Sequence, residues 1–342
     1  MPDHRTESRR LAPSPARTDW YGAAILLTVA ASLTLAHLHF IAIPRADARF
    51  ELHTSIVEGS AESPYRYRVL IPYTAHAAAS VLERAAIAGY RNAVGVFSEA
   101  LTFFGLAGGL VVFYFYLRRW FGAEAALAGA LFAASMTAFA FTHVLYQPWG
   151  WWELAVFTGG LWLAQENRRW SLLALIAAAT LMRETACLVA VLYVLTRWRE
   201  ESPGRVLAWG GLLGGVSLIL LAGLRLALGW APHVGAGRYE NPLTFRLVHN
   251  FTTPMPALTL ILFFGVLWML ALKDRRRKPP VLRRALWFMP IFLALYLAAA
   301  HMEEPRYYFA VTPIIVPLAF MSLFAYRLPG EALTGADSAQ TA

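Results

Sequence analysis

Cysteine and charge are both scarce in this chain of 342 residues. Cys187 is the only cysteine and lies within an apolar run, which excludes a disulfide framework and a thiolate metal site. Charged residues make up 15% of the chain and hydrophobic residues 58%. A soluble domain could not hide runs such as 206–224 and 255–272, which are apolar on every face. Composition therefore predicts an all-α, polytopic bundle of transmembrane helices with the lipid bilayer as its partner.

A continuous basic patch is also absent, although the net charge is +9. Seven of the thirty basic residues lie between Lys273 and Arg284, and most others stand at the ends of apolar runs, without interleaved aromatic residues. This pattern is typical of topology signals, which mark the cytoplasmic side, and argues against a nucleic-acid partner.

Ten apolar segments are predicted to cross the membrane. The first follows a basic segment and is longer than the apolar core of most signal peptides, so we interpret it as a retained anchor with a cytoplasmic N-terminus. Ten crossings return the C-terminus to the cytoplasm. We expect one transmembrane domain over 20–328, between disordered polar tails at 1–19 and 329–342. The predicted spans are 20–43, 93–117, 122–142, 150–165, 170–182, 185–197, 206–228, 255–272, 285–300 and 309–326.

The stretch 170–198 is interpreted as a hairpin of two short helices. As one helix it would be roughly 40 Å long, more than the hydrocarbon core requires. One helix would also place the basic cluster at 273–284 outside, against the positive-inside tendency. The hairpin keeps that cluster inside and puts Arg183 and Glu184 at its tip, in a recess below the outer surface.

Polar residues concentrate in three segments that this topology places outside. They are a long first outer loop at 44–91 with a membrane-lying helix over 69–88, the connection 231–254, and the short turn 301–308. A short turn needs few ionisable groups, so we expect the charges of this turn, the hairpin tip and Glu153 to face a shared polar cavity.

Structural explanations remain open for each of these residues. Arg66 and Arg68 could be interfacial anchors, Arg183 and Glu184 a structural ion pair, and Glu153 a paired carboxylate at a helix end. Asp47 could be a solvated loop acid. The histidines 143, 233 and 249 are interpreted as solvated loop residues, because no metal-ligand spacing links them.

Three short motifs resemble the C-type (GT-C) superfamily of polytopic membrane glycosyltransferases, in the form of a small bacterial-type member. Asp47-Ala-Arg-Phe50, followed by Ile56, Gly59 and the segment 64–72, resembles the first outer loop of that family. The Arg183-Glu184-Thr185 tip resembles the family's paired short spans, whose tip carries a basic residue. The segment 301–313 is similar to the His-Lys-Glu-x-Arg-Phe-x-x-Pro segment of the mannosyltransferase branch, with Met302 in place of the Lys.

The resemblance implies a hexosyl- or pentosyltransferase of the cell envelope, located in the inner (cytoplasmic) membrane with its active face extracytoplasmic. It would move a sugar from a polyprenyl-phosphate donor to an acceptor whose identity the sequence does not indicate. Asp47 would be the general base. Donor phosphate-binding residues would be Arg183, Arg306, Arg66 and Arg68, and supporting or sugar-binding residues would be Glu184, Glu303, Glu304, His301, Glu153 and Tyr307.

Metal use and two other function classes stay open. No cofactor is indicated with certainty, and a divalent metal such as Mg or Mn could use Asp47, Glu51 and His53, whose spacing is not specific for an ion. A transporter or flippase for a lipid-linked or anionic solute would need similar charges without chemistry, but the sequence shows no pair of related halves. A non-catalytic member of the same fold is the other alternative.

Overall fold

The computed structural model of the chain describes residues 15–141, 148–231 and 242–326. Within these ranges the chain is helical and forms no β-strand, as the sequence predicts. Its α-helices are α1 (Pro15–His37), α2 (Ala46–Val57), α3 (Leu70–Arg84), α4 (Tyr90–Arg118), α5 (Ala123–Ala140), α6 (Glu153–Gln165), α7 (Arg169–Met182), α8 (Leu188–Arg197), α9 (Pro203–Leu228), α10 (Pro242–Thr252), α11 (Pro254–Phe264), α12 (Leu267–Leu272), α13 (Pro280–Ala285), α14 (Phe288–Ala299) and α15 (Thr312–Phe320).

Several helices are long and apolar enough to cross a membrane, which supports a membrane protein by length and composition. Five such helices lie in the described part of the chain, and a sixth crossing results if α10 and α11, bent by 69° at Thr253, are one broken span. The helices α6, α7, α8 and α15 are shorter, so the ten predicted crossings stay a prediction. The five helices are Asp19–Val57, Tyr90–Arg118, Ala123–Ala140, Pro203–Leu228 and Pro280–Ala298.

The segment 44–91, predicted to be the first outer loop, begins as a helix, which corrects the expected local structure. The helix of α1 continues through a π-turn and a 3-10 turn into α2, so that residues 19–57 form one helical segment. Pro44 lies at the start of the 3-10 turn Ile43–Arg45, directly after the π-turn, where the regular α-helical hydrogen-bond pattern is interrupted. Asp47 therefore lies in the first turn of α2 and not in an irregular loop.

The predicted helix over 69–88 is present as α3. Its buried residues Ile71, Ala75 and Ala79 recur every four positions, which places them on one face of the helix. That face packs against α4, where Ala93 and Val94 are also buried. The helix α3 thus packs across the start of α4.

The predicted hairpin of two short helices is confirmed by contacts at its open end. Arg169, the first residue of α7, forms an ion pair with Glu201, four residues beyond the end of α8. Arg197 in the last turn of α8 also contacts Glu201, at 2.8 Å between Nη2 and Oε1. The two open ends therefore lie side by side, and residues 183–187 form the tip at the far end of both helices.

Charged residues lie at two opposite ends of the bundle. The basic end carries the C-terminus of α4, the open end of the hairpin and the start of α13, tied together by Arg284, which donates to the Thr196 carbonyl at 2.7 Å. The polar end carries the hairpin tip, the start of α6 and the turn before α15. The predicted separation of basic from mixed charges along the helices is therefore present in the fold.

Small residues let the hairpin pack closely on α6. A Cβ added at Gly160 in α6 would lie 2.4 Å from Cγ1 of Val189 in α8, which is closer than real Cβ contacts. The neighbouring Gly159 is different, because its added Cβ would meet only Cδ2 of Leu175, at 3.7 Å. Contact between α6 and α8 therefore requires glycine at 160 and tolerates a side chain at 159.

The substitution Gly160→Ala should lower the stability of the purified protein by about 1–3 kcal/mol, because overpacking forces α6 and α8 apart. The matched control Gly159→Ala should leave stability unchanged or raise it by up to about 1 kcal/mol, since alanine is the better helix former. Thermal unfolding in detergent measures both. Equal loss in the two variants would contradict close packing at Gly160.

Candidate functional site

An ion pair between Arg183 and Glu153 lies at the centre of the polar end. Arg183 at the hairpin tip places Nη1 2.7 Å from Oε1 of Glu153, the first residue of α6. Both side chains are at most 6% exposed. Thr185 adds a hydrogen bond from Oγ1 to the same carboxylate at 3.4 Å. The ion pair therefore fastens the hairpin tip to α6.

Arg68 binds the other tip residue, Glu184, with two hydrogen bonds. Its Nε donates to Oε2 at 3.1 Å and its Nη2 donates to Oε1 at 2.5 Å, the bidentate geometry that suits a guanidinium and a carboxylate. The guanidinium also lies 5.5 Å from the ring centre of Tyr65 and 5.6 Å from that of Trp149. These contacts hold the turn before α3 against the hairpin tip.

The turn before α15 joins the same cluster through Tyr307. Arg306 forms an ion pair with Glu304, and its guanidinium lies 5.1 Å from the ring centre of Tyr307. The Arg183 guanidinium lies 5.0 Å from that ring. Arg68, Arg183 and Arg306 are all close enough to Glu153 to act on it electrostatically. We call this group the charged cluster; its members are Arg68, Glu153, Arg183, Glu184, Glu304 and Arg306.

The charged cluster is electrically balanced. Three arginines pair with three glutamates. Separating any of these pairs would cost free energy, because it would leave a buried charge uncompensated. An ion pair between Arg183 and Glu184 was one explanation of their charges. In the structure Arg183 pairs with Glu153 instead, and Glu184 pairs with Arg68. Arg183 has an extended backbone, with φ −160° and ψ 135°, so its side chain and that of the next residue point to opposite sides.

Asp47 lies outside the charged cluster. Its carboxylate is 83% exposed and forms an ion pair with Arg91 at the start of α4. Arg91 in turn lines a cavity of about 560 Å³, together with Ala46 and Phe50 on the same helix as Asp47. The structure thus places Asp47 beside this cavity, and it gives no direct contact between Asp47 and Arg183 or Arg306.

The cavity, which we call the main cavity, is formed by α2, α3 and α4 and is mostly apolar. Its polar lining includes Arg49, whose Nη2 lies 2.5 Å from Oε1 of Glu99, while His37 contacts the other oxygen of Glu99 at 3.1 Å. Trp149 lines the main cavity and also lines a small void beside Glu153 and Arg183. One indole ring therefore separates the main cavity from the charged cluster.

Arg66 has a different position from the other three predicted phosphate ligands. Its Nε donates to the Ala61 carbonyl at 3.0 Å and its Nη1 donates to the Leu228 carbonyl at 3.2 Å. Tyr67 adds a hydrogen bond from its hydroxyl to the Gly229 carbonyl at 3.0 Å. Arg66 therefore ties the turn before α3 to the end of α9.

Three residues of the turn and of α10 could hold a metal ion. Nε2 of His249 lies 2.7 Å from Oε2 of Glu303, and the ring of His301 lies 5.0 Å from that of His249. One ligand atom from each lies within 4.8 Å of the others. Burial and the neighbouring His249 lower the pKa of His301, which favours the neutral, metal-binding form. Two histidines and a carboxylate suit a transition metal better than magnesium.

The interpretation of His249 as a solvated loop residue is wrong, because it lies in α10 and contacts the turn. His143 and His233 lie outside the described residues. The candidate metal residues Asp47, Glu51 and His53 do not form a metal-ligand group in the described part of the chain. His53 is instead buried and lies 3.3 Å from the Tyr90 hydroxyl.

Sequence reasoning missed three residues that shape the site. Arg49 and His37 pair with Glu99 at the main cavity, and Trp149, between that cavity and the charged cluster, is 2% exposed. For Arg49 the available signal was Glu99, a carboxylate within the predicted span 93–117 that needs a basic partner there. For Trp149 no signal in the sequence distinguished a buried ring from one at the membrane surface.

Comparisons with known proteins gave no match. No protein-family model matches the sequence, no curated protein matches it, and no solved structure matches the fold. The function is therefore argued from the site alone.

Glu153→Ala should destabilise the protein by about 3–5 kcal/mol, because it leaves the buried Arg183 without its partner. The double variant Glu153→Leu with Arg183→Met should recover most of that loss, since no charge remains buried. Thermal unfolding of wild type, Glu153→Leu, Arg183→Met and the double variant forms a double-mutant cycle. Additive losses would show that the two side chains do not stabilise each other.

Proposed function

We propose that this chain is a membrane glycosyltransferase that moves a sugar from a polyprenyl-phosphate donor to an acceptor at the outer face of the membrane. The proposal includes ten crossings, cytoplasmic termini and the polar end outside, as in the GT-C superfamily. The observation that carries it is the main cavity, which has Asp47 beside one wall and the charged cluster behind Trp149. No comparison with known proteins supports the family, so the proposal depends on this arrangement.

The main cavity supports a lipid donor because of its lining. Most of its residues are apolar, including Leu52, Ile56 and Ile71, which suits the first isoprene units of a polyprenyl chain. A phosphate at the Trp149 wall would lie next to Arg68, whose guanidinium stacks on that indole. Behind it, Nε of Arg183 is buried without a hydrogen-bond partner among the described residues and could donate to a phosphate oxygen.

The reaction would be a single displacement at the anomeric carbon. Asp47 would take the proton from an acceptor hydroxyl while the hydroxyl oxygen forms a bond to the anomeric carbon. The bond between the anomeric carbon and the phosphate oxygen would break, and the lipid phosphate would leave with the electron pair. Arg68, Arg183 and Arg306 would stabilise the charge that develops on the phosphate. One displacement inverts the configuration and needs only one base.

The substitution Asp47→Asn should lower sugar transfer by at least about 100-fold, because general bases contribute about 10²- to 10⁴-fold to catalysis. Transfer is measured in membranes with a panel of polyprenyl-phosphate sugars, beside donor binding, which should be retained. The matched control is Glu51→Gln, which removes an exposed carboxylate one turn further along α2 and should keep full activity.

Substitution of Arg91, the ion-pair partner of Asp47, tests whether Asp47 acts as the general base or only as part of a structural ion pair. Arg91→Gln removes the ion pair but keeps the carboxylate of Asp47. If Asp47 is the base, Arg91→Gln should retain far more activity than Asp47→Asn. Equal transfer by wild type and Asp47→Asn would remove Asp47 from this role, and movement of the intact donor across the bilayer without transfer would favour the flippase alternative.

Arg68 and Arg66 should differ in donor binding. Arg68→Gln should raise the KM for the donor by about 10- to 100-fold, since hydrogen bonds to charged groups contribute about 1.5–3 kcal/mol. The matched control Arg66→Gln, two residues away, loses only bonds to backbone carbonyls and should change stability more than KM. An unchanged KM in Arg68→Gln would show that this guanidinium only positions Glu184.

A further inference from the structure

A second large cavity lies at the basic end, on the opposite side of the bundle from the main cavity. It has a volume of about 730 Å³ and lies between the end of α8, α12 and the start of α14. Its interior is apolar and includes Leu195, Ala271, Leu286 and Leu293. Nothing in the proposed transfer reaction uses this cavity, and we call it the basic-end cavity.

Arginine is the only ionisable residue type in the lining of the basic-end cavity. Four of the five arginines have no carboxylate partner among the described residues. Arg284 forms an ion pair with Glu200, and Arg283 donates to the carbonyl of residue 276 at 3.0 Å. The other three side chains are exposed and contact no carboxylate within the ranges that the structure describes. The five are Arg199, Arg275, Arg276, Arg283 and Arg284.

Aromatic and apolar side chains stand exposed beside these arginines. Trp287 is 67% exposed, Leu272 is 57% exposed and Trp198 is 44% exposed, and all three line the cavity. Tryptophan is enriched where the apolar core of a bilayer meets the headgroups, because its ring is apolar and its N–H is polar. The lining of the cavity is therefore amphipathic, because it combines guanidinium groups with apolar and aromatic side chains.

We propose that the basic-end cavity binds an anionic phospholipid of the surrounding leaflet. Its phosphate would contact Arg275, Arg276 and Arg199, and one acyl chain would enter along Leu286 and Leu293. Basic pockets between transmembrane helices are suited to anionic headgroups, since each arginine near the membrane surface contributes to their attraction. A zwitterionic lipid would leave the guanidinium charges without compensation, and free phosphate would leave the apolar walls in water.

The test uses the purified full-length protein and phosphatidylglycerol, with phosphatidylcholine of the same acyl chains and inorganic phosphate as comparison ligands. Native mass spectrometry counts retained lipid, and titration gives the affinity. The variant Arg275→Gln with Arg276→Gln should weaken phosphatidylglycerol binding by about 25-fold, since each arginine contributes roughly fivefold. Phosphatidylcholine should bind more weakly than phosphatidylglycerol to wild type and should respond little to the variant.

The matched control is Arg168→Gln with Arg205→Gln. These two arginines lie at the same end, are 66% and 64% exposed, and do not line the cavity. The control loses the same charge and should keep phosphatidylglycerol affinity within about twofold of wild type. Equal weakening by the two double variants would overturn the proposal, because it would show only general attraction to a basic surface.

A third variant tests the apolar part of the cavity. Leu293→Trp adds volume inside the cavity and keeps every arginine, so it should reduce phosphatidylglycerol binding while inorganic phosphate binding stays unchanged. Retained phosphatidylglycerol in a folded Leu293→Trp protein would contradict insertion of an acyl chain. Phosphate binding as tight as lipid binding would equally contradict it. Sugar transfer at the other end is not part of any of these readouts.

Discussion

The arrangement of the polar end depends on neutralising buried guanidinium groups. Arg68, Arg183 and Arg306 are each at most 6% exposed, where an unpaired charge would be very costly. Each has a carboxylate, and for two of them that carboxylate comes from a distant segment, α6 or the hairpin tip. Without the tip residues Arg183 and Glu184, the charges of Glu153 and Arg68 would be left uncompensated. The pairing therefore fixes the turn before α3, the hairpin and α6 relative to one another.

Much of this arrangement could be predicted from the sequence because membranes limit the choices. A charge pair in the middle of a stretch too long for one span required a hairpin, and the contacts of Arg169 with Glu201 show one. The convergence of Arg183, Arg306 and Glu153 also followed from the cost of facing lipid, whereas Arg68 was expected at the site only from the family resemblance. The partners did not follow, because pairing of Arg183 with Glu153 depends on an extended backbone at one residue.

Other features depend on packing between distant segments and were beyond sequence reasoning. A proline such as Pro44 normally marks a helix boundary, so Asp47 was expected in a loop. In the structure the helical segment continues past Pro44 from α1 into α2. The main cavity is bounded by residues of α2, α3 and α4, including Ile56, Ala75 and Val94. No single segment encodes the volume between three helices.

The position of Asp47 limits how the proposed reaction could proceed. Asp47 and the charged cluster lie on different sides of the main cavity and make no contact, so the substrates would have to bridge them. In the structure as it stands the three arginines are already neutralised, and a phosphate would have to compete with Glu184 for Arg68 or bind the buried N–H of Arg183. Competition for Arg68 is the easier of these two steps, since Glu184 is 38% exposed and water could solvate the displaced carboxylate. The donor phosphate would therefore first displace Glu184 from Arg68 and only then approach Arg183, which remains held by Glu153.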